Sequence, residues 1–131
     1  MTRYEKAVEK YQNGYNCAQA VICACADMTE FSEEQLFKLA EAFGGGMGAT
    51  GGVCGAVSAM VFLAGLKESG GLELLPNTNK AKSCALAREM MTEFENMNKS
   101  IICSSIKSEG YRSCAGCVED AVKIIEKKLM V

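Results

Sequence analysis

The sequence predicts an all-α fold, a compact bundle of five or six helices, and three observations carry that expectation. Apolar residues recur at the 3.6-residue helical period along most of the chain rather than in alternation. Asn16 with Gln19, and Ser32 with Gln35, have the spacing of capping boxes that open helices. Glycine clusters at 44–52 and 70–71, and the lone proline Pro76, cut the rest into helix-length pieces.

The first helix is expected over residues 2–13, with Ala7, Val8 and Tyr11 on one side, and Gly14-Tyr15 breaks it. Asn16 caps the second, which carries Ala20, Val21 and Ala24 and fades by Asp27. Ser32 opens the third, where Leu36, Leu39, Ala40 and Phe43 form the expected buried stripe. Residues 44–52 hold six glycines in nine positions and must be a loop. Residues 53–66 then form a central apolar helix, stopped by Gly70-Gly71. Pro76-Asn77-Thr78 starts a long helix through about Met97, with Ala81, Ala85, Met90 and Phe94 as inward positions. A short turn or helix follows Ser100. The last helix opens at Ser113 with Val118, Ala121, Val122, Ile125 and Leu129 on its apolar face. Lys123, Lys127 and Lys128 suit its negative C-terminal end. No strand, linker or repeat interrupts this pattern, so residues 1–131 are expected to form a single all-helical domain.

Composition narrows the chemistry. The chain has 131 residues, 49% hydrophobic and 23% charged, which excludes disorder. A net charge of −2 and a pI near 5.3 argue against nucleic-acid binding and against an anionic membrane surface. The uncharged stretch 42–66 is long enough to span a bilayer, but its first third is glycine-rich. The remaining 53–66 suits a core helix, so no membrane insertion is expected. The N-terminal residues lack the apolar core of a secretory signal. The expectation is a cytoplasmic protein, where cysteines stay reduced unless catalytic, redox-sensing or metal-bound.

There are eight cysteines and no histidine. Without imidazole there is no histidine base, no histidine ligand and no Cys–His pair. Cys17 follows the Asn16 cap, Cys54 lies in the first turn after the glycine loop, and Cys103 opens the segment after Ser100. Cys114 follows the Ser113 cap, and Cys117 is one turn further on. Free N–H groups and the macrodipole at a helix start favour thiolate over thiol. Cys17, Cys54, Cys103 and Cys114 are therefore the candidate catalytic thiols. Cys23, Cys25 and Cys84 fall inside helices, where cysteine packs as a small hydrophobe.

Cys114-Ala-Gly-Cys117 has the spacing of dithiol oxidoreductases and of half a zinc site, which makes Cys117 a candidate partner thiol. No βαβ context supports a thioredoxin, and no second CxxC completes a four-cysteine zinc site. Gly46 to Gly51 spells GxGxxG but follows a helix, and no Gly-Lys-Ser/Thr comes after it, which argues against a nucleotide. Gly46, Gly48, Gly51 and Gly52 serve either in simple tight helix packing or as binding positions, where backbone turns sharply and approaches Cys54 or a small ligand. Their N–H groups would steady a thiolate or an anion. Met90, Met91 and Met97 read as core filling, and the carboxylate clusters as solvated faces.

Asn16-Cys17-Ala-Gln-Ala-Val21, Phe43-Gly-Gly-Gly-Met-Gly48, Gly52-Val-Cys54-Gly-Ala56, Ile102-Cys103, and Cys114 ahead of Val118-Glu-Asp-Ala121 follow in order along nearly the whole chain. This pattern resembles the C_GCAxxG_C_C family, described as redox-active proteins with four separated cysteines. The resemblance places the family cysteines on Cys17, Cys54, Cys103 and Cys114, and its Gly-Ala on Gly55 and Ala56. Gly55 thereby joins the candidate binding positions. The last glycine of the motif is Ala59 here, still small enough for close helix packing, and Cys117 lies outside the four family positions.

Three functions stay open. One is thiol–disulfide or electron-transfer chemistry, as in a thiol–disulfide oxidoreductase, needing no cofactor and served by a small-molecule or protein redox partner. Another is metal binding, with Cys17, Cys54, Cys103 and Cys114 as ligands to zinc or an iron–sulfur cluster. The third is a non-catalytic helical binding module with packed cysteines. Residues 53–66 and the Met-rich face offer surface for a homodimer.

Overall fold

The computed structural model describes residues 1–130. The architecture is all-α, with seven α-helices among the described residues: α1 Arg3–Gln12, α2 Cys17–Ala24, α3 Glu33–Ala40, α4 Gly55–Glu68, α5 Lys80–Asn98, α6 Cys103–Ser108 and α7 Cys114–Leu129. The count exceeds five or six because the segment after Ser100 is a true helix, closed by its own i to i+4 bonds. Short 3-10 turns occupy Ala26–Met28, Glu41–Phe43 and Leu72–Leu74.

Local chemistry sets the helix starts. Asn16 accepts from the Gln19 N–H at 2.8 Å while the Gln19 side chain accepts from the Asn16 N–H at 3.0 Å. Ser32 and Gln35 do the same at 3.1 and 2.9 Å. Thr2 with Glu5 is a third such box, at the start of α1. The central helix begins at Gly55 rather than 53, so Cys54 is its N-cap. The long helix begins at Lys80, beyond the Pro76 turn. Cys25 is the C-cap of α2 and lies outside the helix, because α2 stops at Ala24.

Helix α4 packs against α2, α5 and α7, and α7 in turn packs on α1, α2 and α5. Val118, Ala121, Val122, Ile125 and Leu129 of α7 are all buried, joined by Met60, Met90, Phe94 and Leu36. Truncating one of the larger members to alanine costs about 2–5 kcal/mol, by lost burial and the cavity left behind.

Two expected faces are corrected. Ala81 and Ala85 are exposed, and the buried stripe of α5 is Ala87, Met90, Phe94 and Asn98. At 3.6 residues per turn, Ala85 stands about 140° from Met90 and roughly opposite Phe94. Leu39 is 52% exposed at the rim of a shallow apolar groove, while Leu36 and Ala40 carry the inward face of α3. The late lysines act across helices as well as on the dipole. Lys127 pairs with Glu93 and Lys128 with Glu89, tying α7 to α5. Lys123 instead pairs with Glu119 along α7. No helix among the described residues is long and apolar enough to cross a membrane.

Candidate functional site

Residues 44–54 carry the chain from the third 3-10 residue, Phe43, to the N-cap of α4. Five consecutive residues, Gly45 to Ala49, have φ between 58° and 76°, a single left-handed turn. Met47 and Ala49 hold this conformation without being glycine, at about 1–2 kcal/mol each. The turn consumes its own donors: Gly48 N–H bonds the Ala42 carbonyl, Gly51 that of Gly45, and Gly52 that of Gly46. Those N–H groups do not serve a thiolate, contrary to expectation.

The loop instead welds α6 to the start of α4. Cys103 N–H donates to the Gly52 carbonyl at 2.7 Å, Ser104 N–H to Gly51 at 3.1 Å, and Cys54 N–H to Ile101 at 2.8 Å. Val53 and Ile102 form an isolated antiparallel bridge between them. Gly46 is buried beneath this pairing, and a Cβ there would stand 2.7 Å from the Cβ of Cys103. Gly55 lets α4 meet α2: its Cβ would lie 3.0 Å from the Ala18 nitrogen and 3.1 Å from the Phe43 carbonyl. Asn16 holds the third side, donating from its amide to the Glu41 carbonyl at 2.9 Å.

These constraints gather sulfur. Cys17, Cys103 and Cys114 are the first residues of α2, α6 and α7, and Cys54 caps α4. All four line one cleft with Cys117, Gly45, Gly46, Gly55, Ile106, Lys107 and Arg112. The free space is about 30 Å³, enough for a few atoms. Cys54 and Cys117 are 4% and 2% exposed, whereas Cys17, Cys103 and Cys114 are half-buried. Of the glycines singled out, Gly46 and Gly55 reach the cleft. Gly51 and Gly52 hold α6 through their carbonyls, and Gly48 is exposed with open space around it.

The five sulfurs are not equivalent. The Cys117 thiol lies within hydrogen-bonding reach of Cys54 and, with the Ala56 and Val57 N–H groups and Lys107, outweighs burial to draw Cys54 down to about 7. Cys117 is pushed up by the same bond and by its burial. Cys17 is pushed up by burial, then by the neighbouring Cys114 and Cys54. Tyr11 of α1 is raised to about 12, first by its hydrogen bond to Cys114. The Lys107 ammonium is raised by Cys114 and Cys103, and it bonds the latter. The helix-start rule therefore holds for Cys54 and fails for Cys17, where desolvation dominates.

Arg112 borders Cys117 but its charge is committed. Its guanidinium donates to both oxygens of buried Asp120, at 3.0 and 3.1 Å, across the face of Gly116. The remaining cysteines lie elsewhere. Cys23 donates to the Glu33 carbonyl at 3.6 Å, Cys25 is fully buried beside Arg3, and Cys84 is half-buried on α5. All eight cysteines are free thiols. Among the described residues, no group of three or more His, Cys, Asp and Glu is arranged to hold a metal ion.

Sequence reasoning missed Tyr11, Lys107 and Arg112. Lys107 had a signal, since it follows Cys103 by four residues on a helix and so shares its face. Tyr11 read as part of an apolar stripe, and its hydroxyl reaches Cys114 only through the packing of α1 on α7.

The model of the family described as "Putative redox-active protein (C_GCAxxG_C_C)" matches residues 15–128, and the chain belongs to that family. No curated protein matches the chain, and no solved structure does.

Proposed function

We infer that this member of the C_GCAxxG_C_C family carries out thiol–disulfide exchange, with Cys54 as the attacking thiolate and Cys117 as its resolving partner. The observation that supports this reading most is the seating of Cys54. Its sulfur belongs to the N-cap residue of α4 and shares one cleft with the Cys117 thiol and the Lys107 ammonium, which together with the Ala56 and Val57 amides favour its thiolate. Near pH 7 about half of such a thiol is ionised, close to the optimum for an attacking group.

The chemistry balances as a two-electron exchange. The Cys54 thiolate attacks one sulfur of a small disulfide, RS–SR′, forming Cys54–S–SR and releasing R′S⁻, which takes up a proton. Cys117 then loses its proton to solvent and attacks the Cys54 sulfur, closing Cys54–Cys117 and releasing RS⁻. The substrate disulfide is reduced to two thiols and the protein dithiol is oxidised. An external dithiol reverses the sequence. Cys17, Cys103 and Cys114 keep the cleft rich in sulfur, and Lys107 supplies positive potential at its mouth. Gly46 and Gly55 serve by permitting close backbone approach. A single helical domain working in a reducing cytoplasm fits this chemistry.

The test uses reduced protein mixed with glutathione disulfide without oxygen, quenched in acid and mapped without reduction. A Cys54–Cys117 linkage is expected in the natural chain. In Cys117→Ser the resolving thiol is gone, so a Cys54–glutathione adduct accumulates. A folded Cys117→Ser protein, judged by circular dichroism, that forms no adduct at Cys54 overturns the reading.

A further inference from the structure

The inner pair is hard to reach. Cys54 and Cys117 are 4% and 2% exposed beneath a cleft with about 30 Å³ of free space. A small disulfide can thread a sulfur into such a gap, but one carried on a folded protein cannot. Three thiols of the same cleft are half-buried, and two of these form a second couple. Cys17 and Cys114, the first residues of the packed helices α2 and α7, line the same cleft and are close enough for each to bear on the other's charge. The Tyr11 hydroxyl stands near Cys114, and the Lys107 ammonium lies near both sulfurs. The couple borders the inner pair directly. Cys17 neighbours Cys54 and Cys117, and Cys114 precedes Cys117 by three residues on α7.

We propose that Cys17 and Cys114 form an outer exchange pair that accepts a disulfide from a protein partner and passes it to the buried Cys54–Cys117 pair, so that the reduced cleft stores four electrons. This rests on the exchange reading of Cys54 and Cys117 given above.

The transfer balances without an added reagent. A partner disulfide first oxidises the outer couple to Cys17–Cys114 and leaves as two thiols. The Cys54 thiolate attacks the Cys17 sulfur, breaking Cys17–Cys114 and leaving the electron pair on Cys114. Tyr11 and Lys107 stand where that negative charge develops. Cys114 then takes the proton of Cys117. The resulting Cys117 thiolate attacks the Cys54 sulfur, closing Cys54–Cys117 and releasing Cys17 as thiolate. One disulfide has moved inward, and the emptied outer couple accepts a second.

The experiment uses the full chain, reduced and free of oxygen, with oxidised protein disulfide isomerase as the protein-borne oxidant. Samples are quenched in acid and mapped without reduction. With one equivalent, Cys17–Cys114 is expected first and Cys54–Cys117 rises as it decays. With excess, both linkages are present and four of the five cleft thiols are lost to alkylation. Cys114→Ser is expected to slow Cys54–Cys117 formation at least tenfold with this oxidant. Glutathione disulfide, the oxidant of the preceding test, is run in parallel on the natural chain. Cys54–Cys117 forming as fast in Cys114→Ser as in the natural chain overturns the relay and leaves the exchange reading standing. Linkage of Cys103 in place of Cys17 overturns it equally. Absence of Cys54–Cys117 with both oxidants overturns the exchange reading itself. Should Cys114→Ser misfold, the order of linkages in the natural chain decides alone.

Discussion

Cys54 and Cys25 are almost equally buried, at 4% and 0% exposed, yet one is drawn down to about 7 and the other pushed up to about 12. Cys25 even has an arginine beside it. Burial dominates there, because Arg3 is already shared between the Asp27 carboxylate and the Ala24 carbonyl, and Asp27 and Glu126 add negative charge. Cys25 also sits at the carbonyl end of α2. Cys54 sits at the amide end of α4, beside the Cys117 thiol and near the first-turn N–H groups of Ala56 and Val57, which have no acceptor within the helix. Uncommitted donors therefore matter more to a buried thiol than a nearby cation that is already neutralised.

The largest expected effect tests that comparison directly. Each pKa unit that separates two thiols is tenfold in thiolate where the pH lies below both values. At pH 7 the two thiolate fractions differ by roughly 5 × 10⁴, and the weaker nucleophilicity of the more acidic thiolate leaves iodoacetamide labelling Cys54 roughly 10²–10³-fold faster than Cys25, read by peptide mass spectrometry. Comparable rates would mean that the helix end does not govern these thiols.

Next come the glycines that shape the reactive end. Gly46→Ala places a Cβ in a left-handed residue and against Cys103, and should destabilise the fold by about 3 kcal/mol. Gly65, further along α4, has open space where its Cβ would go. Gly65→Ala is expected to stabilise by up to about 1 kcal/mol through helix propensity. Urea unfolding of the pair gives opposite signs, and the same sign for both would remove the special status of the loop.

The two thiols also give opposite pH slopes. An unfolded cysteine titrates at about 8.5. Cys54 lies below that in the fold, so its contribution is complete above about 8.5 and is lost as pH falls through about 7. Cys25 lies above it, so its contribution is complete below about 8.5 and is lost as pH climbs toward about 12. Cys54→Ala should erase about 2 kcal/mol of the gain in stability from pH 6 to 9. Cys25→Ala should flatten the decline above pH about 9. Cys117→Ala tests the donor separately, moving the Cys54 alkylation curve up by about one pH unit or more. An unmoved curve would assign Cys54 to the backbone alone.

Much of this contrast was legible because it is local. A cap and its reciprocal partner lie within three residues, so Asn16, Ser32 and Ser113 announce helix starts, and the cysteines after Asn16 and Ser113 inherit their place. Phase was less legible than period: Ala81 and Ala85 share the spacing of Met90 and Phe94 but stand on another face. The pairing of Cys54 with Cys117 depends on α4 lying against α7, and that of Cys114 with Tyr11 on α1 lying there too. Nothing within a few residues encodes either contact. The handedness of residues 45–49 was hidden for a different reason, since Met47 and Ala49 are poor residues for a left-handed turn.

That misfit supplies the smallest expected effect. The reactive end holds strained non-glycine backbone, whereas the end of α2 at Cys25 has ordinary negative φ. Met47 is 45% exposed, so Met47→Gly loses little packing while removing the left-handed penalty. The variant should gain about 1 kcal/mol in urea unfolding, somewhat reduced by the freer unfolded chain. Its Cys54 alkylation curve should stay unchanged, because the groups acting on that sulfur come from α4, Cys117 and Lys107. A curve that moves with Met47→Gly would show that loop strain is transmitted to the thiol, and the two ends would then differ in backbone tension as well as in donors.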